Sequence, residues 1–228
     1  MRYVDELRQY KLVPGKRDVL IELFEREFVE TQEAVGIDVV GTFRDVDDPD
    51  RFVWLRRFPD MESRARSLAE FYGGPVWKAH REAANATMID SDNVLLLRPA
   101  WPDSGFAEGG ARAPVGTTTL PGGFVVATIC SFDASVPKDF VAACRRTLPV
   151  LCAAANARLA AAFVTEPRAN TFPALPVREG EHVFVWFVLF ERAELAHSLA
   201  IPPELGSHLS KLPEILRLVP TARSRLHA

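Results

Sequence analysis

The feature that most constrains this chain is an order of elements that occurs twice. Phe52-Val53-Trp54, followed by Phe58 and later Ser67-Leu68, is matched by Phe184-Val185-Trp186, Phe190 and Ser198-Leu199. Pro14, after the first strand, is matched by Pro137. Around these markers the hydrophobic pattern reads as strand–helix–strand–strand–helix–strand in each half, the mark of an internal duplication. A βαββαβ unit gives a four-stranded antiparallel sheet with both helices on one face, leaving the other face bare. That face needs cover here, because almost every position from Val183 to Phe190 is apolar, the pattern of a strand buried on both sides. Two sheets packed face to face within one chain meet the need. The expected fold class is α+β, with two tandem βαββαβ units closing one intramolecular α/β barrel.

The expected elements follow from periodicity and punctuation. A first strand covers 4–12 and ends at Pro14-Gly15. A helix over about 16–33 carries Leu20, Leu23, Phe24 and Phe28 and closes at Gly36. Strands at 37–46 and 51–58 form a hairpin about Asp47-Asp48-Pro49-Asp50. Asp60 caps a helix with Met61, Ala65, Leu68 and Tyr72 on one face. Gly73-Gly74 breaks it, Pro75 starts a helix to about 88, and a fourth strand runs over 93–98. The segment 101–122, rich in Gly and Pro, separates a first unit (1–100) from a second (123–228). In the second unit a strand at 124–132 precedes a helix capped by Ser135 and begun by Pro137. That helix carries Phe140, Val141, Cys144, Leu148 and Cys152, and Pro149 should kink it. Strands at 159–165 and 182–190, helical pieces near 193–199 and 204–218, and a last strand near 222–226 complete the reading.

Bulk properties exclude several classes. A net charge of -3, with no basic run, argues against nucleic acid as a partner. No apolar run approaches the roughly 18–20 residues that span a bilayer, so no membrane insertion is expected. The first residues are charged rather than apolar, unlike a secretory signal, and a cytoplasmic location is the expectation. Cys130, Cys144 and Cys152 lack metal-ligand spacing and read as buried, reduced thiols. Histidines at 80, 182, 197, 208 and 227 are scattered, so no metal site is expected. Asp45, Asp47, Asp48 and Asp50 lack the ordered spacing of a calcium loop. Gly73-Gly74-Pro75 is no phosphate-binding loop, and no cofactor is expected.

Glu6-Leu7-Arg8 with Tyr10 and Leu12, then Pro14-Gly15, Phe52-Val53-Trp54-Leu55-Arg56 and Trp77-Lys78-Ala79-His80, resemble the NIPSNAP family. The resemblance covers the first hundred residues; the second half keeps the Phe-Val-Trp motif but lacks the Trp-x-x-His segment. It implies a ferredoxin-like unit that assembles as a dimeric-type α/β barrel. The wider superfamily implies cofactor-independent monooxygenases, small lyases and isomerases, and haem proteins, in which His80 would be an axial ligand. A homodimer of whole chains is compatible with this picture.

The candidate chemistry lies in the first half. On one helix Trp77 stands three and four residues before His80 and Arg81, with Asn85 a turn further on. An imidazole beside an indole and a guanidinium suits a flat, partly anionic aromatic, with His80 as acid/base. Equally, this helix reads as one buried aromatic and a surface histidine. Glu6, Arg8 and Tyr10 share one face of the first strand. Turned into the barrel they would form a charged wall, Arg8 clamping a carboxylate, with Arg44, Trp54 and Arg56 extending it. Equally, Glu6 and Arg8 read as a structural ion pair beside a core tyrosine. The expected function is a small-molecule enzyme acting on an aromatic, polyketide-like or quinone-like compound. The alternative is a non-catalytic ligand-binding or protein-interaction module.

Overall fold

Alternation along the first strand sends one set of side chains inward and the other under a helical layer. The computed structural model describes residues 3–192, 206 and 209–228. Its elements are β1 (Val4–Leu12), α1 (Arg17–Leu23), a π-helical turn (Phe24–Phe28), α2 (Val29–Ala34), β2 (Asp38–Asp45) and β3 (Arg51–Phe58). Then come α3 (Met61–Gly73), α4 (Pro75–Asn85) and β4 (Met88–Pro99). The second half holds β5 (Phe124–Ser131), α5 (Lys138–Ala154), β6 (Ala157–Thr165), β7 (Val183–Phe190) and β8 (Glu214–Pro220).

Local chemistry sets several boundaries. Asp60 caps α3, its carboxylate accepting the Ser63 N–H at 2.7 Å. Gly36, at φ 83°, takes the left-handed turn that ends the first helical stretch. In the β2–β3 hairpin, the Asp45 and Asp48 carboxylates accept the backbone N–H two residues on, at 2.9 and 3.0 Å. Gly41 sits at a bulge of β2, where a Cβ would lie 2.6 Å from the Phe43 ring.

Among the described residues eight strands pair antiparallel, and the ring closes in the order β1-β3-β2-β8-β5-β7-β6-β4. Within the ring the first half reads β4-β1-β3-β2 and the second β8-β5-β7-β6. The halves meet at two short seams. Phe43, Arg44 and Asp45 pair with Pro220, Val219 and Leu218, while Leu97, Arg98 and Pro99 pair with Thr165, Val164 and Phe163.

The interior is solid. Leu7, Val53, Leu55 and Leu97 meet Ile129, Phe163, Phe187 and Leu218 in one apolar cluster, as an eight-stranded barrel requires. Phe106, from the Gly- and Pro-rich segment, joins this cluster with ring centroids 5.2 Å from Phe163 and 4.9 Å from Phe187. Arg57 anchors that plug, donating to the Phe106 carbonyl at 3.0 Å and to Asp5 at 3.0 Å. The segment is therefore part of the core at this point, not only a spacer.

Four expectations change. Residues 204, 205, 207 and 208 of the helix expected over 204–218 lie outside the described residues; from 214 on it gives way to β8, where alternation puts Leu216 and Leu218 inside, and no strand forms at 222–226. The piece near 193–199 lies outside the described residues. Ser135 does not cap α5, whose first flanking residue is Pro137 with no side-chain cap. The buried face of α3 is Met61, Arg64, Ser67, Leu68 and Phe71, rather than one through Ala65 and Tyr72. The expected thiols are all buried, and burial pushes Cys130 and Cys144 up to about 12 and Cys152 to about 11.

Candidate functional site

Antiparallel register brings Glu6 opposite Arg56, Arg8 opposite Trp54 and Tyr10 opposite Phe52. These six share a face, and that face turns away from the barrel interior. Tyr10, Phe52 and Trp54 pack with Leu20, Phe24, Phe28 and Phe71 of the helical layer. The expectation of an inward charged wall is thus reversed, because the small interior is already filled by Leu7, Val53, Leu55 and their counterparts. The charges instead lie between sheet and helices.

There Glu6 holds three arginines. Its Oε2 accepts from Arg8 Nη1 at 2.6 Å and Arg56 Nε at 2.7 Å, and its Oε1 accepts from Arg64 Nε at 2.6 Å. All four side chains have 0% exposure, so the cluster carries two more positive than negative charges away from water. Burial pushes the Glu6 carboxyl up, but Arg56, Arg8 and Arg64 outweigh it and hold the group well below the usual carboxylate range. Burial lowers Arg64, and the Arg56 and Arg8 charges add to this despite Glu6. Arg8 is raised: burial opposes its charge, but Tyr10 and Glu6 outweigh that cost. Burial raises the Tyr10 phenol, against the pull of Arg8.

The surroundings satisfy part of this cluster. Arg8 Nε donates to the Tyr10 hydroxyl at 2.9 Å, and Arg56 Nη1 donates to Gln32 Oε1 at 3.2 Å. Gln32 in turn donates to the Phe28 carbonyl at the end of the π-helical turn, a geometry that recurs at functional sites. Arg64 Nη1 donates to Asn170 Oδ1 at 2.9 Å. The guanidinium carbons of Arg56 and Arg8 lie 5.0 and 5.5 Å from the Trp54 ring centroid. Within this cluster three buried donors find no acceptor among the described residues: Arg56 Nη2, Arg64 Nη2 and Trp54 Nε1. Such unmet donors beside excess positive charge suit an anionic oxygen.

The other expected site residues stand apart. Trp77 packs on Tyr72, Phe28 and Phe71 at 4.8, 5.4 and 5.8 Å, as a half-buried aromatic. His80 has a side chain 33% exposed, and its Nε2 lies 3.6 Å from Glu27 Oε2. Arg81 and Asn85 are exposed on α4, which buries only Ala84. Arg44 pairs with Asp18 at 2.9 Å near the surface. Glu6, Arg8, Tyr10, Trp54 and Arg56 are brought together; His80, Arg81, Asn85 and Arg44 are not. Arg64, Gln32 and Asn170 join from outside the expected set. Arg64 was legible, three residues after Met61 and four before Leu68 on the apolar face of α3, where an arginine demands a partner.

No cluster of three or more metal-ligating side chains occurs among the described residues. No helix among them is long and apolar enough to cross a membrane.

No curated protein matches the chain. Among solved structures, a proposed monooxygenase from Lactobacillus acidophilus NCFM superposes with TM-score 0.59 at 12% identity, over 98% of this chain and 97% of its own. Another, from Fusobacterium nucleatum, gives 0.61 at 8% identity, over 99% and 95%. These two share the fold along both halves. A NIPSNAP-like domain protein from Burkholderia xenovorans is 26% identical over 41% of this chain and 82% of its own, with TM-score 0.38. The family model described as NIPSNAP matches residues 5–102. The matched stretch is the part of the chain that holds Glu6, Arg8, Arg56 and Arg64.

Proposed function

We propose that the first half binds a small organic anion at the Arg8–Arg56–Arg64 cluster, and that the bound group is a carboxylate, enolate or phenolate on an aromatic body. One observation carries this reading: three fully buried guanidiniums share a single carboxylate, and two keep a terminal nitrogen without an acceptor. An isolated buried charge is costly, so excess positive charge held in place favours an anion that replaces the missing partner. The buried Trp54 indole and Tyr10 ring pack beside the guanidiniums, so a ligand there would need these rings to give way.

The same donors would stabilise negative charge developing on an enolising ketone, the electrostatic part of a cofactor-independent oxygenation or isomerisation. The fold shared with two proposed monooxygenases makes oxygenation the first reaction class to test. A second, non-catalytic reading is favoured by His80, whose exposure and Glu27 contact leave the cluster without that proton carrier.

Thermal denaturation with added sodium benzoate, compared with neutral benzyl alcohol, tests the binding site. Benzoate should raise the midpoint of the wild type and of His80→Ala, leave Arg64→Gln unshifted, and outperform the alcohol. An equal shift in Arg64→Gln removes the cluster from the explanation. Oxygen uptake with an enolisable aromatic ketone such as anthrone then separates the two readings. Uptake lost in Arg64→Gln supports catalysis, and no uptake by the benzoate-binding wild type supports the binding module.

We also read the two halves, 1–100 and 123–228 about the segment 101–122, as copies of one ferredoxin-like unit. Their common strand order and the matched Phe-Val-Trp strands β3 and β7 support this.

A further inference from the structure

Beside the arginine cluster, on the same outer face of the barrel, lies a cavity of about 660 Å³. It sits where β4 meets β6, walled by the start of α5 and the segment 166–182. Leu96 lines it and is the register partner of Glu6, which places cavity and cluster one strand apart. Its body is apolar, with Val136, Val141, Val164 and Val177 joining Leu96. A volume in this range holds a small organic molecule rather than a few waters.

The charges around the cavity are unequal in their freedom. Glu166 is tied to Arg168 and Glu181 to Arg178, both at 2.7 Å. Arg98 and Lys138 also line the cavity, and neither makes an ion pair among the described residues; Arg98 Nε donates to the Thr165 carbonyl at 3.4 Å, and its charge helps to hold Glu166 below the usual carboxylate range. Glu179 is the one lining carboxylate outside an ion pair among the described residues, and His182 also lines the cavity. An apolar chamber with two cations outside any ion pair among the described residues matches a molecule with an apolar body and one strongly anionic group.

We infer that this cavity between the two halves is a second binding site, for an amphipathic organic anion whose apolar body lies against Leu96, Val164 and Val141 and whose acidic group meets Arg98 and Lys138. The inference stands without the arginine cluster, since none of these five residues touches Glu6's three partners in the ion network.

The test uses 8-anilinonaphthalene-1-sulfonate as the anionic probe and N-phenyl-1-naphthylamine as its neutral counterpart, both read by fluorescence on the full chain. The sulfonate should bind at one equivalent. Arg98→Gln combined with Lys138→Gln should weaken it about tenfold while changing the neutral probe less than about twofold, as loss of a charge-assisted contact predicts. Val164→Trp, which fills the chamber, should weaken both probes about tenfold or more. Val141→Trp fills it from α5 and serves if Val164→Trp does not fold, folding being checked by circular dichroism. Sulfonate affinity unchanged in a folded filling variant overturns the site. Equal loss of both probes in the charge variant overturns the anionic ligand.

Discussion

Replacing Glu6 by Gln keeps the shape of the side chain and removes the only negative charge in the arginine cluster. Three contacts of 2.6, 2.7 and 2.6 Å then lose their charge, and three guanidiniums with 0% exposure are left facing one another. Breaking one buried ion pair costs about 3–5 kcal/mol, because the remaining charge stays out of water. Here one substitution breaks three such contacts, so the upper end of that range is expected. For a chain of this size about 2–4 °C is lost per kcal/mol, which puts the fall in melting temperature at about 10–20 °C near neutral pH. The loss should be strongly non-additive: Arg64→Met in the Glu6→Gln background should recover part of it, since it removes one of the stranded charges. The pH dependence gives a second check. The folded carboxyl is held below its ordinary 4.5, so its stabilisation is present above that pH and fades as pH falls through the folded value. Glu6→Gln should therefore lie furthest from wild type above pH 4.5 and approach it in strong acid. Scanning calorimetry or chemical denaturation from neutral pH down into strong acid measures both effects. A neutral-pH difference below about 3 °C would refute the claim that Glu6 holds the cluster together.

Two further outcomes follow from the barrel end. Burial raises the Asp5 carboxyl to about 6, against the pull of Arg57, so the folded state holds its proton more tightly than the unfolded one. Stability should accordingly fall as pH rises from its ordinary 3.8 to about 6, and Asp5→Asn should flatten that part of the urea-denaturation pH profile; an unchanged profile refutes the assignment. Phe106→Ala removes the plug packed on Phe163 and Phe187 and should cost about 3–5 kcal/mol in denaturant unfolding, whereas a cost below about 1 kcal/mol would mark the segment as a spacer after all.

The sequence made the first half legible nearly strand by strand. β1 and β3 have the expected bounds because their alternation is framed by Pro14 and by the Asp-rich turn. Which face of those strands looks inward was not legible. Phe52, Trp54 and Arg56 are as bulky as Val53 and Leu55, and only closure of the ring, with its narrow interior, decides that the aliphatic set goes inside. Arg64 on the apolar stripe of α3 signals that a partner is needed, but which carboxylate it meets, 58 positions away, is tertiary information. The stretch that forms β8 reads as helix in sequence, because its pairing with β5 and β2 is long-range information. Asn170 lies in a loop with no local pattern, so only the tertiary contact to Arg64 marks it.

The two seams of the ring, three residue pairs each, bear on how such a chain can change over generations. In an assembly of two identical chains every substitution enters twice, related by the symmetry axis, and a useful change on one side is tied to the same change on the other. A single chain has no such tie. Glu6 and its arginines occupy one four-strand set, while Cys144, Leu148 and Trp186 fill the corresponding layer of the other with sulfur and hydrocarbon. Covalent continuity thus frees each half to mutate alone, and a lopsided molecule becomes reachable by single steps.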